Sequence, residues 1–314
     1  MALSRRSFAS RLTDLDSPAG RAAPKGPSWD HPRMYGPSIL ARTMSFARPM
    51  GKSGIRWQYH SRSDHHSKVA CWGILFDLLN ESAVLKEHVS IGAVIFGLNH
   101  EMKDFKHNRK KDLDLVLARP RGVLKPGGLG FRSLVKKNGI ELTAEEKKIL
   151  GTLPDVRLGD VGAVQVALEA KACMTEHVKA LPRLYDELNS SHETIHASAE
   201  EAIAVGFVMV NLAGEFVSPG RQSTSRKAKP IVNYHEQPDV TERVVGKIHE
   251  MPRRTKQGEQ GFDALSVVVV ECKNDGSPVR LVTKPPAPEP GEIYDYEVMI
   301  RRTAQLYASR FRDL

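Results

Sequence analysis

Residues 163–171 read Ala163-Val-Gln-Val-Ala-Leu-Glu169-Ala-Lys171, and the reading of this stretch decides the fold. Side chains alternate along a strand. Val164, Val166, Leu168 and Ala170 therefore make one apolar face, while Glu169 and Lys171 share the other with Gln165 and Ala167. A carboxylate and an ammonium at the exit of a buried strand are unfavourable unless paired or bound to a metal. A second apolar run, Asp112-Leu-Asp114-Leu-Val-Leu117, carries Asp112 and Asp114 on one face. A strand there would bring a carboxylate beside Glu169. Carboxylate, carboxylate and lysine together suit Mg²⁺-dependent phosphodiester hydrolysis. Mg²⁺ takes hard oxygen ligands and keeps several waters. It lowers the pKa of a bound water and neutralises charge developing on phosphorus. Lys171 would position the attacking water or stabilise the transition state.

The flanking sequence predicts an α/β order. A helix is expected at about 66–80, with Val69, Trp72, Leu75, Phe76 and Leu79 as its apolar stripe. Strands follow at about 91–98 and 112–117, the latter behind the basic run Arg109-Lys110-Lys111. Residues 119–162 read as an insertion, with a glycine-rich loop at 126–130 and a short helix capped by Thr143 and Glu146. After the Glu169/Lys171 strand a helix begins near 175, with Pro182 as a kink or a first-turn residue. Its polar residues His177, Arg183, Asp186 and Glu187 read by default as a solvated face. The strand at 204–212 is apolar throughout and so expected to be central. A helix at 239–250, a strand at 265–270, a hairpin turn at Asn274-Asp-Gly276 and a last helix at 293–310 complete the reading.

This order, with Glu169-Ala-Lys171 closing one strand and Asp114 in the strand before it, resembles the PD-(D/E)xK nuclease superfamily over roughly residues 65–212. The resemblance implies a restriction-endonuclease-like α/β core, a central mixed sheet flanked by helices. It also implies Mg²⁺ held by Asp114 and Glu169, Lys171 as the catalytic lysine, DNA as substrate, and a setting in restriction or genome defence. The alternative is a non-catalytic nucleic-acid-binding or phage assembly protein on the same fold. Double-strand cleavage calls for two sites, with which a homodimer is compatible.

Three features compete with this assignment. Asp160, in the Gly159-Asp-Val-Gly162 turn, and Asp155 lie nearer to Glu169 in sequence than Asp114 does. The expected order is Asp114, then Asp160, then Asp155. A rival motif, Glu271-Cys-Lys273 with Asp263 upstream, precedes a turn instead of a helix and reads as a structural strand end. The polar block His60–Lys68 either lines the substrate groove or simply leads into a helix.

Charge divides the chain. Residues 1–62 hold 11 Lys/Arg against 3 Asp, so they carry +8 of the formal +9 and leave about +1 for the other 252 residues. With six prolines and little periodicity, this segment is expected to be a flexible basic arm gripping phosphates without sequence preference. The nuclease core is expected over 63–217 and a carboxy-terminal extension over 218–314. No run of 18 apolar residues occurs, three cysteines are widely spaced, and the start lacks a secretory apolar core. These features point to a cytoplasmic protein without a membrane span. The twelve histidines form no HExxH, and neither a P-loop nor a GxSxG is present.

Overall fold

The nine residues of Ile203–Asn211 are buried without exception, as a strand with neighbours on both edges and helices on both faces must be. A computed structural model describes residues 34–49, 55–105, 107–123, 127–218 and 230–313. In chain order its elements are α1 (Gly36–Met44), β1 (Arg48–Pro49), β2 (Arg56–Trp57), α2 (His65–Glu81), α3 (Ala83–Ser90), β3 (Ile95–Asp104) and β4 (Arg109–Pro120). Next come α4 (Ser133–Asn138), α5 (Ala144–Thr152), β5 (Val161–Cys173), α6 (His177–Ser198), β6 (Ile203–Asn211), β7 (Glu215–Ser218) and β8 (Ile231–Tyr234). The chain closes with α7 (Asp239–His249), β9 (Ala264–Glu271), β10 (Arg280–Val282) and α8 (Tyr296–Phe311).

The protein is α/β, built on a six-stranded mixed sheet in the order β10-β9-β6-β5-β4-β3. β3, β4 and β5 form an antiparallel meander, β5, β6 and β9 run parallel, and β10 returns antiparallel to β9. Helices flank both faces. Val69, Trp72 and Leu75 of α2 and Met299, Ile300 and Tyr307 of α8 share one core with Val166 and Leu168. Leu184, Leu188 and Ile195 of α6 and Val244 and Ile248 of α7 share the other with Ala167 and Val208. The predicted elements appear near their expected places, including the Thr143/Glu146 capping box. Among the described residues no helix is long and apolar enough to cross a membrane.

Two expectations about organisation change. The basic segment 1–62 is not an arm throughout. Its α1 buries Ile39, Leu40 and Met44 in the α2/α8 core, and Gln58 and Tyr59 are buried too. Proline content and charge concealed a helix whose apolar positions fall on one side. Residues 1–33 and 50–54, the remainder of the expected arm, and the basic residues Arg221, Arg226, Lys227 and Lys229 lie outside the described residues. The expected extension 218–314 is likewise part of the core, because β9 and β10 complete the main sheet and α8 covers it.

Helix α1 is fastened by one buried acid. Asp77 of α2 is 0 % exposed and accepts the Tyr35 and Gly36 amides at 2.9 and 2.7 Å and the Tyr296 hydroxyl at 2.9 Å. The two helices cross at glycines, since a Cβ on Gly73 would stand 2.8 Å from the Gly36 Cα. Burial pushes the Asp77 carboxyl up to about 7, against the pull of those three donors. An unfolded Asp titrates near 3.9. Between those values the folded state holds a proton that the unfolded state lacks, so stability falls as pH rises through the window. Asp77→Asn should flatten this part of the profile, removing a slope of at most about 1.4 kcal/mol per pH unit. Urea unfolding of both proteins from pH 4 to 7.5 measures it; parallel profiles would exclude Asp77 as the titrating group.

Candidate active site

The antiparallel pairing of β4 with β5 ends at Leu115–Leu168. One further step of that register sets Asp114 opposite Glu169. At this fork the Ala170 amide donates to the Asp114 carboxylate, Oδ2, at 2.8 Å, so a side chain takes a backbone donor at the point where the ladder stops. The Ala170 contact holds Asp114 against the strand of Glu169 where the ladder stops, close enough for its charge to act on the Glu169 carboxyl.

Glu169 is 1 % exposed. Its Oε1 lies 2.6 Å from the Lys171 Nζ and 3.8 Å from the Lys111 Nζ, while its Oε2 is buried with no hydrogen-bond partner. Lys171 also reaches Glu187 Oε2 of α6 at 3.3 Å, and Arg183 Nε holds Glu187 Oε1 at 2.6 Å. Lys111 Nζ donates to the Glu187 backbone carbonyl at 2.5 Å, which ties β4 to α6 across the site. From the other side of the sheet, α2 brings the His66 ring beside Lys171 and Ser67 beside Asp114, the Ser67 hydroxyl donating to the Asp64 carbonyl at 3.0 Å. His66 packs against Tyr59 with ring centroids 5.0 Å apart. The polar block at 60–68 thus meets the site through His66 and Ser67.

Burial dominates the proton affinities. It raises the Asp114 carboxyl despite the Ala170 amide and Lys171, and it raises Glu169 despite Lys171, with Asp114 adding to the effect. Burial works against the Lys171 ammonium, but Glu169, Glu187 and Asp114 outweigh it and hold the group above its ordinary value. Burial would raise Glu187 as well, yet Arg183 and Lys171 bring it below the usual range. Burial, His65 and Lys171 push His66 down to about 4, so this imidazole is neutral at pH 7.

The other sequence candidates fall elsewhere. Asp160 is exposed just before β5, nine residues from Glu169, roughly 30 Å along the same strand at 3.3 Å per residue. Its role as a site aspartate is therefore corrected: a turn delivers it to the opposite end of the sheet. Asp155 accepts the Arg132 amide at 2.9 Å and stabilises the turn into α4. Asp112 is exposed. In the rival motif Asp263 and Glu271 bracket β9 and face different partners. Asp263 is buried against Arg310 at 2.6 Å and Arg254 at 3.8 Å, whereas Lys273 pairs with Glu215 at 2.7 Å. Lys111 and the ionic role of Glu187 were missed by sequence reasoning. The signal for Lys111 was its position in a basic run leading into the Asp114 strand.

Among the described residues no group of three or more His, Cys, Asp or Glu is placed to hold a metal ion. Mg²⁺ does not need one, because it is usually bound through one or two carboxylates with water and phosphate filling the remaining positions. The unpartnered Glu169 Oε2 and the adjacent Asp114 carboxylate are hard oxygen donors of the right kind, so the residues fit such an ion.

No protein-family model, no curated protein and no solved structure matches this chain. The functional reading rests on the residues.

Calorimetric titration with Mg²⁺ should show binding to the wild type and to Asp155→Asn and Asp160→Asn. Asp114→Asn and Glu169→Gln should lose at least about tenfold in affinity, the lower end for losing a charged ligand contact. Unchanged binding in Asp114→Asn would remove it from the site.

Proposed function

We propose that this chain is a Mg²⁺-dependent endonuclease that hydrolyses DNA phosphodiester bonds. The observation that carries the reading is the fork between β4 and β5, where Asp114 is held by the amide next to Glu169, an oxygen of Glu169 is buried without a partner, and Lys171 stands 2.6 Å from the other oxygen. The element order from α2 through β3, β4, β5 and α6 to β6 supports it, being the order that the resemblance to PD-(D/E)xK nucleases implies. The setting in restriction or genome defence follows from that resemblance.

Each residue has a definite task. Asp114 and Glu169 present oxygens to the cation, and the Ala170 amide fixes the orientation of Asp114. When bound, Mg²⁺ supplies Lewis acidity toward a phosphate oxygen and an acidified water. Lys171, drawn between Glu169 and Glu187, offers its ammonium to the attacking water or to charge gathering on the phosphate oxygens. Glu187 and Arg183 limit how far that ammonium swings. Burial of Glu169 keeps the site partly dry, which strengthens every one of these interactions.

A second reading is a nucleic-acid-binding protein without catalysis. The Lys171 ammonium 2.6 Å from Glu169 Oε1, which already neutralises one of the two carboxylates, favours it. The two readings separate on plasmid and genomic DNA incubated with and without Mg²⁺. The endonuclease nicks or linearises DNA only with the metal. Lys171→Ala and Glu169→Ala should each lower the rate by about 10² to 10⁴, the usual cost of losing a charge-stabilising group. Intact DNA under all conditions, with retained binding, would establish the second reading.

A further inference from the structure

The hairpin of β7 and β8 leaves the main sheet at the end where Glu169 and Lys171 sit, and its base is fixed there. Phe216 of β7 is buried and meets the Tyr59 ring edge-on, with centroids 6.2 Å apart, and Tyr59 packs on His66 beside Lys171. Asn274 Nδ2 donates to the Val217 carbonyl at 2.7 Å and to the Tyr59 carbonyl at 3.0 Å. Trp57 packs against Val217. Just past β8, the His235 ring is held by the Thr175 hydroxyl at 3.1 Å and the Ala213 carbonyl at 2.9 Å. Thr175 lies four residues beyond Lys171, roughly 13 Å at the strand rise. With one side-chain contact added, Tyr234 stands within about six base-pair steps of the site, at about 3.4 Å a step.

The two strands differ in what they show to solvent. Phe216 and Val217 of β7 are buried, whereas Ile231, Val232 and Tyr234 of β8 are exposed, Tyr234 at 79 %. β8 pairs with β7 alone, so its outer edge is open among the described residues. An open apolar strand is a liability unless something covers it. Arg56, next to Trp57, and Arg62, in the turn before α2, are exposed and have no ion-pair partner among the described residues. The sequence that joins β7 to β8, 219–229, lies outside the described residues; it holds four Lys/Arg and no acid. A second copy paired edge to edge would bring the same cations to the same contact, which like charge opposes. A polyanion meets them favourably. A two-stranded β-ribbon also matches the major groove of a duplex, about 12 Å wide, where apolar side chains read the thymine methyl.

We propose that β8 is a DNA-reading surface: the ribbon enters the major groove beside the bond to be cut, with Val232 and Tyr234 on base edges and Arg56 and Arg62 on the flanking backbone. The inference rests on the nuclease reading for its occupant and adds to it the element that selects where the duplex is engaged.

Binding of a labelled duplex of mixed sequence in EDTA, measured across salt concentrations, tests this without any cleavage. Tyr234→Ala should weaken binding about fivefold or more, the lower end for an aromatic anchor at an interface. Its salt slope should stay that of the wild type, because Tyr234 touches no phosphate. Arg62→Gln should make the slope of log affinity against log salt shallower by about 0.9, one phosphate contact. Both side chains are exposed, so both variants should melt like the wild type. Sequencing of the cut ends in Mg²⁺ should show a base preference shifted in Tyr234→Ala and kept in Arg62→Gln. Wild-type affinity and base preference in Tyr234→Ala, alongside a wild type that binds and cuts, overturns this inference alone. So does a wild-type dimer that Tyr234→Ala dissociates with DNA binding intact, which assigns β8 to a second copy. A wild type that binds DNA without cutting it, with weaker binding in Tyr234→Ala, supports the surface and overturns the nuclease reading. A wild type that binds no DNA overturns both.

Discussion

The hydrogen bond from the Ala170 amide to Asp114 marks the place on which the site depends. Up to Leu115–Leu168 the two strands satisfy each other's backbone. Beyond that pair they diverge, and an unmet amide in a buried position would cost a few kcal/mol. An aspartate side chain at this point solves the backbone problem and puts a carboxylate in a dry environment. Glu169, the residue before that amide, comes close enough for the two carboxyls to act on each other. A buried acid beside a half-buried one then demands cations, and the fold supplies Lys171 from the same strand as Glu169, Lys111 from the strand of Asp114, and Arg183 indirectly through Glu187. Taking away any one partner leaves charge uncompensated in a low-dielectric setting. The arrangement therefore stands as a unit, with one oxygen of Glu169 left over.

The surrounding structure holds this unit from several directions. Asn211 at the end of β6 donates to the Met174 and Cys272 carbonyls at 2.9 Å each, and its Oδ1 accepts the Cys272 and Ala213 amides. Its backbone carbonyl accepts from His177, at the start of α6, and from Thr241 of α7. One residue thus fixes the ends of β5, β6 and β9 and the helix that carries Arg183 and Glu187. On the opposite face, Asp77 secures α1 against α2, the helix whose first turn brings His66 and Ser67 to the fork.

The sequence made strand identity legible wherever burial dictated composition. The fully apolar β6 and the alternating end of β5 could be read because nothing else satisfies those patterns. Asp114 was distinguishable from Asp160 by context: an aspartate inside Leu-Asp-Leu-Val-Leu implies a strand, and one between glycines implies a turn. Long-range partnership was not legible. Lys111 and Glu187 meet only because α6 crosses β4, and neighbouring sequence carries no trace of a contact spanning 76 residues. Helix α1 was hidden by a basic, proline-containing stretch. Its Arg42 reaches Glu146 of α5 at 2.6 Å, a pairing that ties the supposed arm to the supposed insertion. Strand β3 extends to Asp104, past the expected end at 98, because polar residues alternate there on an edge strand, where one side meets solvent.

A nuclease working as proposed binds one divalent cation between Asp114 and Glu169. A crystal soaked in Mn²⁺ and recorded at the manganese absorption edge addresses it without any appeal to activity. The expected result is a single strong anomalous peak at about 2.1 to 2.2 Å from an oxygen of each carboxylate, close to the distance Mg²⁺ itself adopts. A fully occupied peak at any other group of acids, with both carboxylates unliganded and Lys171 still between Glu169 and Glu187, would exclude this pair as the cation site.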